Sequence, residues 1–153
     1  MSVFSSQIML ILRTKLGASW PIEKKYITAF SKYYLSYRVR VGSVLGLRKK
    51  GDIRDDSYIK WLFTYPTGRE QIRYGRVQIY LQLHGWQLAI VQQIEYKKVS
   101  RFDQVQLVRT SAMICINITQ ILSPAGLLPT TSGTYILSGN DKSTYSTPIE
   151  PVF

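Results

Sequence analysis

Residues that could carry catalytic chemistry are scarce in this chain of 153 residues. It has one histidine, His84, and one cysteine, Cys115, so neither an internal disulfide nor a zinc site built from several cysteines and histidines can form. Cys115 lies in the apolar run 112–122, which is typical of a buried and unreactive thiol. His84 precedes Gly85 at the end of an alternating segment, which favours a turn residue over a general base.

The carboxylates give little further support for a catalytic site. Asp55 and Asp56 are adjacent, and neighbouring side chains on a strand point to opposite faces, so the pair cannot readily share one site. We interpret them as ordinary carboxylates of a solvated loop. No glycine pattern of the kind that cradles phosphates is present either. The sequence therefore predicts a protein that is not an enzyme and that needs no metal and no cofactor.

The charge distribution is more informative. Twenty Lys and Arg against nine Asp and Glu give a net charge of +11, and residues 1–50 hold ten basic residues and one acidic residue, which is +9. A basic surface of this kind fits a polyanion, most often nucleic acid and sometimes anionic lipid. The simpler interpretation is that the charge only aids solubility. No apolar run approaches the roughly 18 residues that span a bilayer, so we expect no membrane partner.

Basic and aromatic residues interleave between positions 24 and 41, and a short basic loop follows. On a regular strand over Tyr26–Val41, the even-numbered residues form a basic and aromatic face opposite a mostly apolar one. Cations neutralise phosphates and tyrosines stack on bases, although an ordinary exposed strand face explains the pattern equally well. The candidate nucleic-acid-binding residues are Lys24, Lys25, Lys32, Tyr34, Tyr37, Arg38, Arg40, Arg48, Lys49 and Lys50.

One short helix, Ser5–Leu16, and several closely spaced strands are predicted around these residues. The clearest strand is Arg76–His84. Apolar residues alternate there with polar ones and predict one apolar and one wet face; the apolar residues are Val77, Ile79, Leu81 and Leu83. Trp61 and Trp86 are expected in the core. The other predicted strands are Tyr26–Val41, Tyr58–Tyr65, Trp86–Tyr96, Val105–Val108, Ala112–Leu122 and Thr134–Leu137, and for the apolar run Ala112–Leu122 a helix is the alternative.

This order of elements favours a mainly β fold, a small antiparallel barrel or curled sheet with a short N-terminal helix. We divide the chain into a helix and lead-in at 1–22, one barrel-like domain at 23–140 and a flexible C-terminal tail at 141–153. The absence of a signal sequence favours an intracellular location.

Four segments together resemble a domain of fungal transposon-encoded proteins, in which a strand reading YGRVQYF precedes one reading LAFVQ and an I-x-x-x-G segment follows. A related domain lies downstream of the transposase in some plant DNA transposons. The resemblance covers roughly residues 25–140. The matching segments are Asp55–Ile59, Arg73–Leu81, Leu88–Gln92 and Ile121–Leu128.

The resemblance implies a small β-barrel somewhat like the bromo-adjacent-homology and SH3-like modules of chromatin proteins, serving as an accessory domain of a mobile element. It implies Gly75 at a strand entry, Val77, Ile79 and Leu81 pointing inward, and Gly126 at a late turn. None of the matched motifs is catalytic, so the resemblance assigns no catalytic residue.

We therefore expect a non-catalytic accessory module that binds nucleic acid or chromatin in the nucleus. The alternative is a protein-interaction module that presents a strand edge or an aromatic groove to a peptide or to other transposon-encoded proteins. A further alternative is a non-functional fragment of a mobile element, because only a short helix precedes the barrel where a longer transposase region is usual.

Overall fold

The computed structural model describes residues 6–17, 26–37, 39–46, 55–83, 85–99 and 104–138. Helix α1 covers Ser6–Leu16, and a single 3-10 turn, Ile118–Gln120, joins the seventh and eighth strands. The strands are β1 (Thr28–Phe30), β2 (Tyr33–Tyr34), β3 (Arg40–Val41), β4 (Tyr58–Thr64), β5 (Glu70–Leu83), β6 (Trp86–Lys98), β7 (Val105–Asn117), β8 (Ile121–Thr130) and β9 (Gly133–Ser138).

The strands pair antiparallel and close into a ring. The order in the main sheet is β1-β5-β4-β8-β9-β7-β6, and β5 also pairs with β6, so β4, β5, β6, β7, β9 and β8 follow one another around a circle. β1 pairs with the far end of β5, and β2 pairs with β3 in a separate hairpin. The predicted fold, a small antiparallel barrel with one short N-terminal helix, is confirmed.

The middle of the β5–β6 hairpin, residues 77–81 and 88–91, packs in a core on each face. Val77 lies opposite Val91 and packs in a cluster around the fully buried Trp61, which we call the Trp61 core. Leu81 lies opposite Leu88 and packs in the helix core, which α1 completes with Leu12 and Leu16. Tyr80 and Leu81 are neighbours on β5 and point to opposite faces, and Tyr80 packs in the Trp61 core, so the two cores lie on opposite sides of the hairpin.

A third cluster draws a residue from each of the six ring strands and therefore fills the inside of the ring. We call it the ring core. Its members include Tyr58, Tyr74, Ile94, Val105, Leu127 and Ile136.

Burial on both faces at residues 77–81 contradicts the prediction of one apolar and one wet face for Arg76–His84, while Gln82 is exposed as predicted. The register shifts between Val77 and Ile79, so these two residues pack in different cores instead of pointing inward together. Tyr80, expected on the wet face, is fully buried and donates a hydrogen bond from its hydroxyl to the Val41 carbonyl at 3.3 Å. α1 covers one face of this part of β5 and the β2–β3 hairpin covers the other, and no local pattern in β5 reveals either contact.

Other predictions need smaller corrections. Gly75 lies in the middle of β5 and not at its entry, and Gly126 lies within β8 and not at a turn. Trp86 is 38% exposed because it stands at the start of β6, outside the core expected for it. The predicted strand Val105–Val108 and most of the run 112–122 form one continuous β7. His84 and the predicted tail at 141–153 lie outside the described residues.

We predict that Gly75→Ala destabilises the fold by about 1–3 kcal/mol, the usual cost of overpacking. A Cβ at Gly75 would lie 2.7 Å from the Gln92 carbonyl oxygen and 2.9 Å from Trp61 Cζ3, with Val91 Cγ1 closer still. Gly126→Ala is the matched control, because a Cβ there meets nothing within 4 Å. Urea unfolding of the two variants measures the difference, and equal midpoints would contradict the packing described here.

We also predict that Cys115 is unreactive while α1 is docked. Cys115 packs against the helix core, and burial raises the pKa of its thiol from 9.0 to about 12, an effect that nearby Lys15 partly offsets. Native protein should react with a disulfide reagent at pH 8 roughly 100-fold more slowly than unfolded protein. Leu12→Ala should accelerate the reaction if α1 is the cover, and an unchanged rate would exclude that role.

The raised pKa of the Cys115 thiol makes the stability of the fold depend on pH. Folding raises the thiol pKa, so the folded state holds this proton more tightly than the unfolded chain. Its contribution to stability is present below pH 9.0 and is lost as the pH rises towards about 12. Unfolding of Cys115→Ala across this range, subtracted from the unfolding of the original protein, isolates the contribution.

Candidate nucleic-acid interface

Four of the ten predicted binding residues lie within the described part of the chain: Lys32, Tyr34, Tyr37 and Arg40. The others, Lys24, Lys25, Arg38, Arg48, Lys49 and Lys50, lie outside the described residues. The regular strand Tyr26–Val41 that was predicted to carry them is wrong. The chain reverses between β2 and β3, and the Leu35 N–H donates to the Val39 carbonyl at 2.8 Å across the turn. The five residues from Leu35 to Val39 contain no Gly, Pro, Asn or Asp, and the single Ser36 is only a weak turn signal.

The hairpin nevertheless brings part of the predicted face together. Tyr34 lies directly opposite Arg40, so their side chains share a face, and the Lys32 ammonium lies 6.0 Å from the centre of the Tyr34 ring. Tyr34 is 53% exposed and Tyr37 is 90% exposed. Tyr33 packs against the Trp61 core and anchors the hairpin from its other face. The hairpin therefore presents two exposed tyrosines and one cation at the surface on a fixed support.

Arg40 is already engaged by a carboxylate. Its Nη2 donates to Asp56 Oδ2 at 2.9 Å, and the Gly42 N–H donates to the Asp56 carbonyl at 2.9 Å. Asp55 is paired in the same way with Arg76, at 2.8 Å. The two aspartates that we expected to be ordinary solvated carboxylates thus hold β3 and β5 to the start of β4. Arg40 is a weaker phosphate ligand than predicted, since it must first leave Asp56.

A second group of cations and rings lies where β4 and β5 meet, and the sequence did not indicate it. We call it the arginine–aromatic cluster, formed by Phe63, Tyr65, Arg69 and Arg73. The Arg73 guanidinium carbon lies 3.7 Å from the centre of the Phe63 ring, and that of Arg69 lies 4.3 Å from the centre of the Tyr65 ring. The two rings contact edge to face, with centres 4.8 Å apart. Cations held over aromatic faces keep a defined orientation.

Arg73 is held by uncharged partners. Its Nε donates to Gln71 Oε1 at 3.0 Å, its Nη1 to Gln93 Oε1 at 3.1 Å and its Nη2 to the Tyr65 hydroxyl at 3.4 Å. A guanidinium has five N–H donors, so two are left. Among the described residues no carboxylate pairs with Arg73, and its positive charge is therefore oriented but not neutralised.

Beside this cluster, β5 and β6 separate. Their pairing runs from Leu83↔Trp86 to Tyr74↔Ile94, and beyond it residues 70–73 pair only with β4 while residues 95–98 pair only with β7. The Tyr96 hydroxyl donates to the Ile72 carbonyl at 2.7 Å and replaces one of the missing strand hydrogen bonds. The gap, which we call the β5–β6 cleft, has a volume of about 550 Å³. Its lining is Gln71, Arg73, Tyr74, Gln93, Ile94, Glu95, Tyr96, Lys97, Lys98 and Ser111.

The cleft carries net positive charge. Arg73, Lys97 and Lys98 contribute three cations, and no ion pair engages them within the described ranges. Glu95 is the one acidic residue of the lining, and its carboxylate pairs with Arg109 at 2.9 Å. An anion entering the cleft therefore meets cations without having to displace a carboxylate from them.

Sequence reasoning missed this site because its residues come from separate strands. We assigned Arg73 to a motif that carries only fold information, and Lys97 and Lys98 fell at the boundary between a predicted strand and a loop. The one local signal was the alternation of Gln71 and Arg73 on β5, which marks a polar face but not what lies opposite it.

In the part of the chain that the structure describes, no three His, Cys, Asp or Glu residues lie close enough to hold a metal ion. No described helix is long and apolar enough to cross a membrane. The interpretation of the chain as a protein without catalysis, metal or cofactor stays a prediction.

Comparisons with protein-family models, with curated proteins and with solved structures each find no match to this chain.

We predict that Arg73→Gln raises the pKa of the Tyr65 phenol. The hydrogen bond from Arg73 is the main cause that holds this pKa below the usual 10.0, with a smaller contribution from Arg69. Tyrosines labelled with ¹³C at Cζ report each phenol by NMR across a pH titration, and Tyr65→Phe assigns the signal. Arg69→Gln should move the pKa less. An unchanged Tyr65 titration in Arg73→Gln would show that the guanidinium does not contact this ring in solution.

Proposed function

We propose that this chain is a non-catalytic module that binds nucleic acid through the arginine–aromatic cluster, the β5–β6 cleft and the exposed tyrosines of the β2–β3 hairpin. The observation that carries the proposal is how the Arg73 guanidinium is held. Its charge is oriented by a ring and three neutral partners, and two of its donors have no partner among the described residues and can take a phosphate oxygen. Arginine presented in this way suits phosphate, because the planar guanidinium donates two parallel hydrogen bonds to it.

The position of these parts supports one interface. Arg73 and Gly75 are two residues apart on β5 and therefore share a face. Gly75 faces Trp61, and the Trp61 core is covered by Tyr33 and Leu35 of the β2–β3 hairpin. The cluster and the hairpin thus lie on the same side of the β4–β5 pair. Phosphates at Arg73 and bases on Tyr34 or Tyr37 can then be bound by one continuous surface.

The net charge of +11 supports a polyanion as the partner. Given the resemblance to transposon-encoded domains, we propose that the module serves a mobile element as an accessory to its transposase, on DNA or chromatin in a nucleus. Nothing in the cluster recognises a base sequence, because its cations and rings fit any nucleotide.

A second candidate function rests on a different surface. On the outer face of the β8–β9 hairpin, Leu128 lies opposite Tyr135 and Leu137 lies opposite Gly126. Leu128 is 46% exposed and Leu137 is 52% exposed, which is unusual for leucines that are neighbours on one sheet. This apolar face favours a protein partner, as in the alternative of a protein-interaction module.

Binding of a labelled oligonucleotide over a salt series tests the proposal. We expect an affinity in the micromolar range or tighter that falls steeply with salt. Arg73→Gln should weaken binding roughly ten-fold and flatten the slope of log K against log salt by about 0.7–0.9, the value of one phosphate contact.

Arg13→Gln is the matched control, because it removes the same charge from an exposed position on α1. Equal losses in the two variants would mean that only net charge matters and would contradict the assigned interface. No binding at low salt would overturn nucleic acid as the partner and leave the β8–β9 face as the leading candidate. Leu137→Glu, which alters that face alone, should leave oligonucleotide binding unchanged.

A further inference from the structure

We propose that the β5–β6 cleft takes a single nucleic-acid strand and not a duplex. This inference rests on the proposed function and adds the class of nucleic acid. It follows from the shape of the cleft, which is a gap between two separated strands of the barrel and not a broad convex surface.

The size of the cleft fits a short segment of a single nucleic-acid strand. Its volume of about 550 Å³ lies within the range of sites that enclose small molecules, and it provides space on the scale of one or two nucleotides. A duplex is a stiff rod with its bases stacked inside, and it cannot place a nucleotide between two β-strands without unpairing it. A single strand can enter without that cost.

The residues that line the cleft are of two kinds, cationic and aromatic or apolar, and these match the phosphate and the base of a nucleotide. Arg73, Lys97 and Lys98 provide cations for the phosphates. The half-buried Tyr96 contacts the buried Tyr74 edge to face, with ring centres 5.0 Å apart, and offers a base an aromatic surface that Tyr74 and Ile94 support from below. Burial raises the pKa of both tyrosines, so their rings stay neutral and do not repel a phosphate.

The cations continue beyond the cleft, which favours a polymer over a small anion. Arg73 lies at the rim and belongs also to the arginine–aromatic cluster, where Arg69 adds another exposed cation. A path of positive charge from Lys98 through Arg73 to Arg69 suits successive phosphates of one backbone. An isolated phosphate would use only part of it.

The test compares four probes on the intact chain: a single-stranded oligonucleotide of about twelve nucleotides, the duplex of the same sequence, a nucleoside monophosphate and inorganic phosphate. We expect the single strand to bind at least about ten-fold more tightly than the duplex at the same salt concentration. The double variant Lys97→Gln/Lys98→Gln should remove most of this preference. Lys97→Arg/Lys98→Arg should retain it, and Arg13→Gln/Lys15→Gln removes two charges elsewhere as the control.

Each outcome decides a different point. If strand and duplex bind equally, and Lys97→Gln/Lys98→Gln weakens both while the α1 control weakens neither, the single-strand inference is overturned and the proposed function stands. Binding of the monophosphate as tight as that of the oligonucleotide would overturn it in favour of a small-anion site. No binding of either polymer would remove the proposed function itself. Amide shifts on adding the single strand should concentrate at residues 95–98, and their absence there would place the strand elsewhere.

Discussion

The double pairing of β5 is the constraint on which the rest of the barrel depends. This strand hydrogen-bonds to β4 and β1 along one edge and to β6 along the other, and between Val77 and Leu81 it packs in a core on each face. A strand enclosed in this way has little freedom to change register, because a slip of one residue would exchange its two buried faces. Gly75 makes the enclosure feasible, since the Trp61 ring and the β6 backbone occupy the space that a side chain would need.

The cleft is the other consequence of that pairing. β5 can be shared by β4 and β6 only over the stretch where all three strands run side by side, and the first residues of β5 belong to β4 alone. Where the pairing with β6 ends, side chains take over from backbone, as Tyr96 does at Ile72. Arg73 stands at this point of separation. The same geometry that ends the sheet therefore orients, beside an opening, a charge that no carboxylate of the described residues neutralises.

Much of the fold could be predicted from the sequence, and the site could not. Alternation in segments such as Arg76–His84 identifies strands, and their close spacing favours an antiparallel barrel. The predictions that failed have a common cause, which is contact between segments that lie far apart in the sequence. Tyr80 is buried because a distant hairpin covers it, and Tyr26–Val41 breaks at a turn that only Ser36 marks in the sequence. Arg73 meets Phe63 and Gln93 only after three strands pair, so no spacing along the chain records their contact.

The closure between β7 and β9 has a mechanical consequence. In the described residues the two strands meet at only two residue pairs, Val105↔Ile136 and Gln106↔Tyr135, while the other joints of the ring are longer. A tube slit along most of its length resists torsion far less than an unbroken one. The barrel is therefore stiff along β5 and compliant at this seam, and a torque applied to the β8–β9 hairpin would open the wall there before it disturbed the cores on either side of β5.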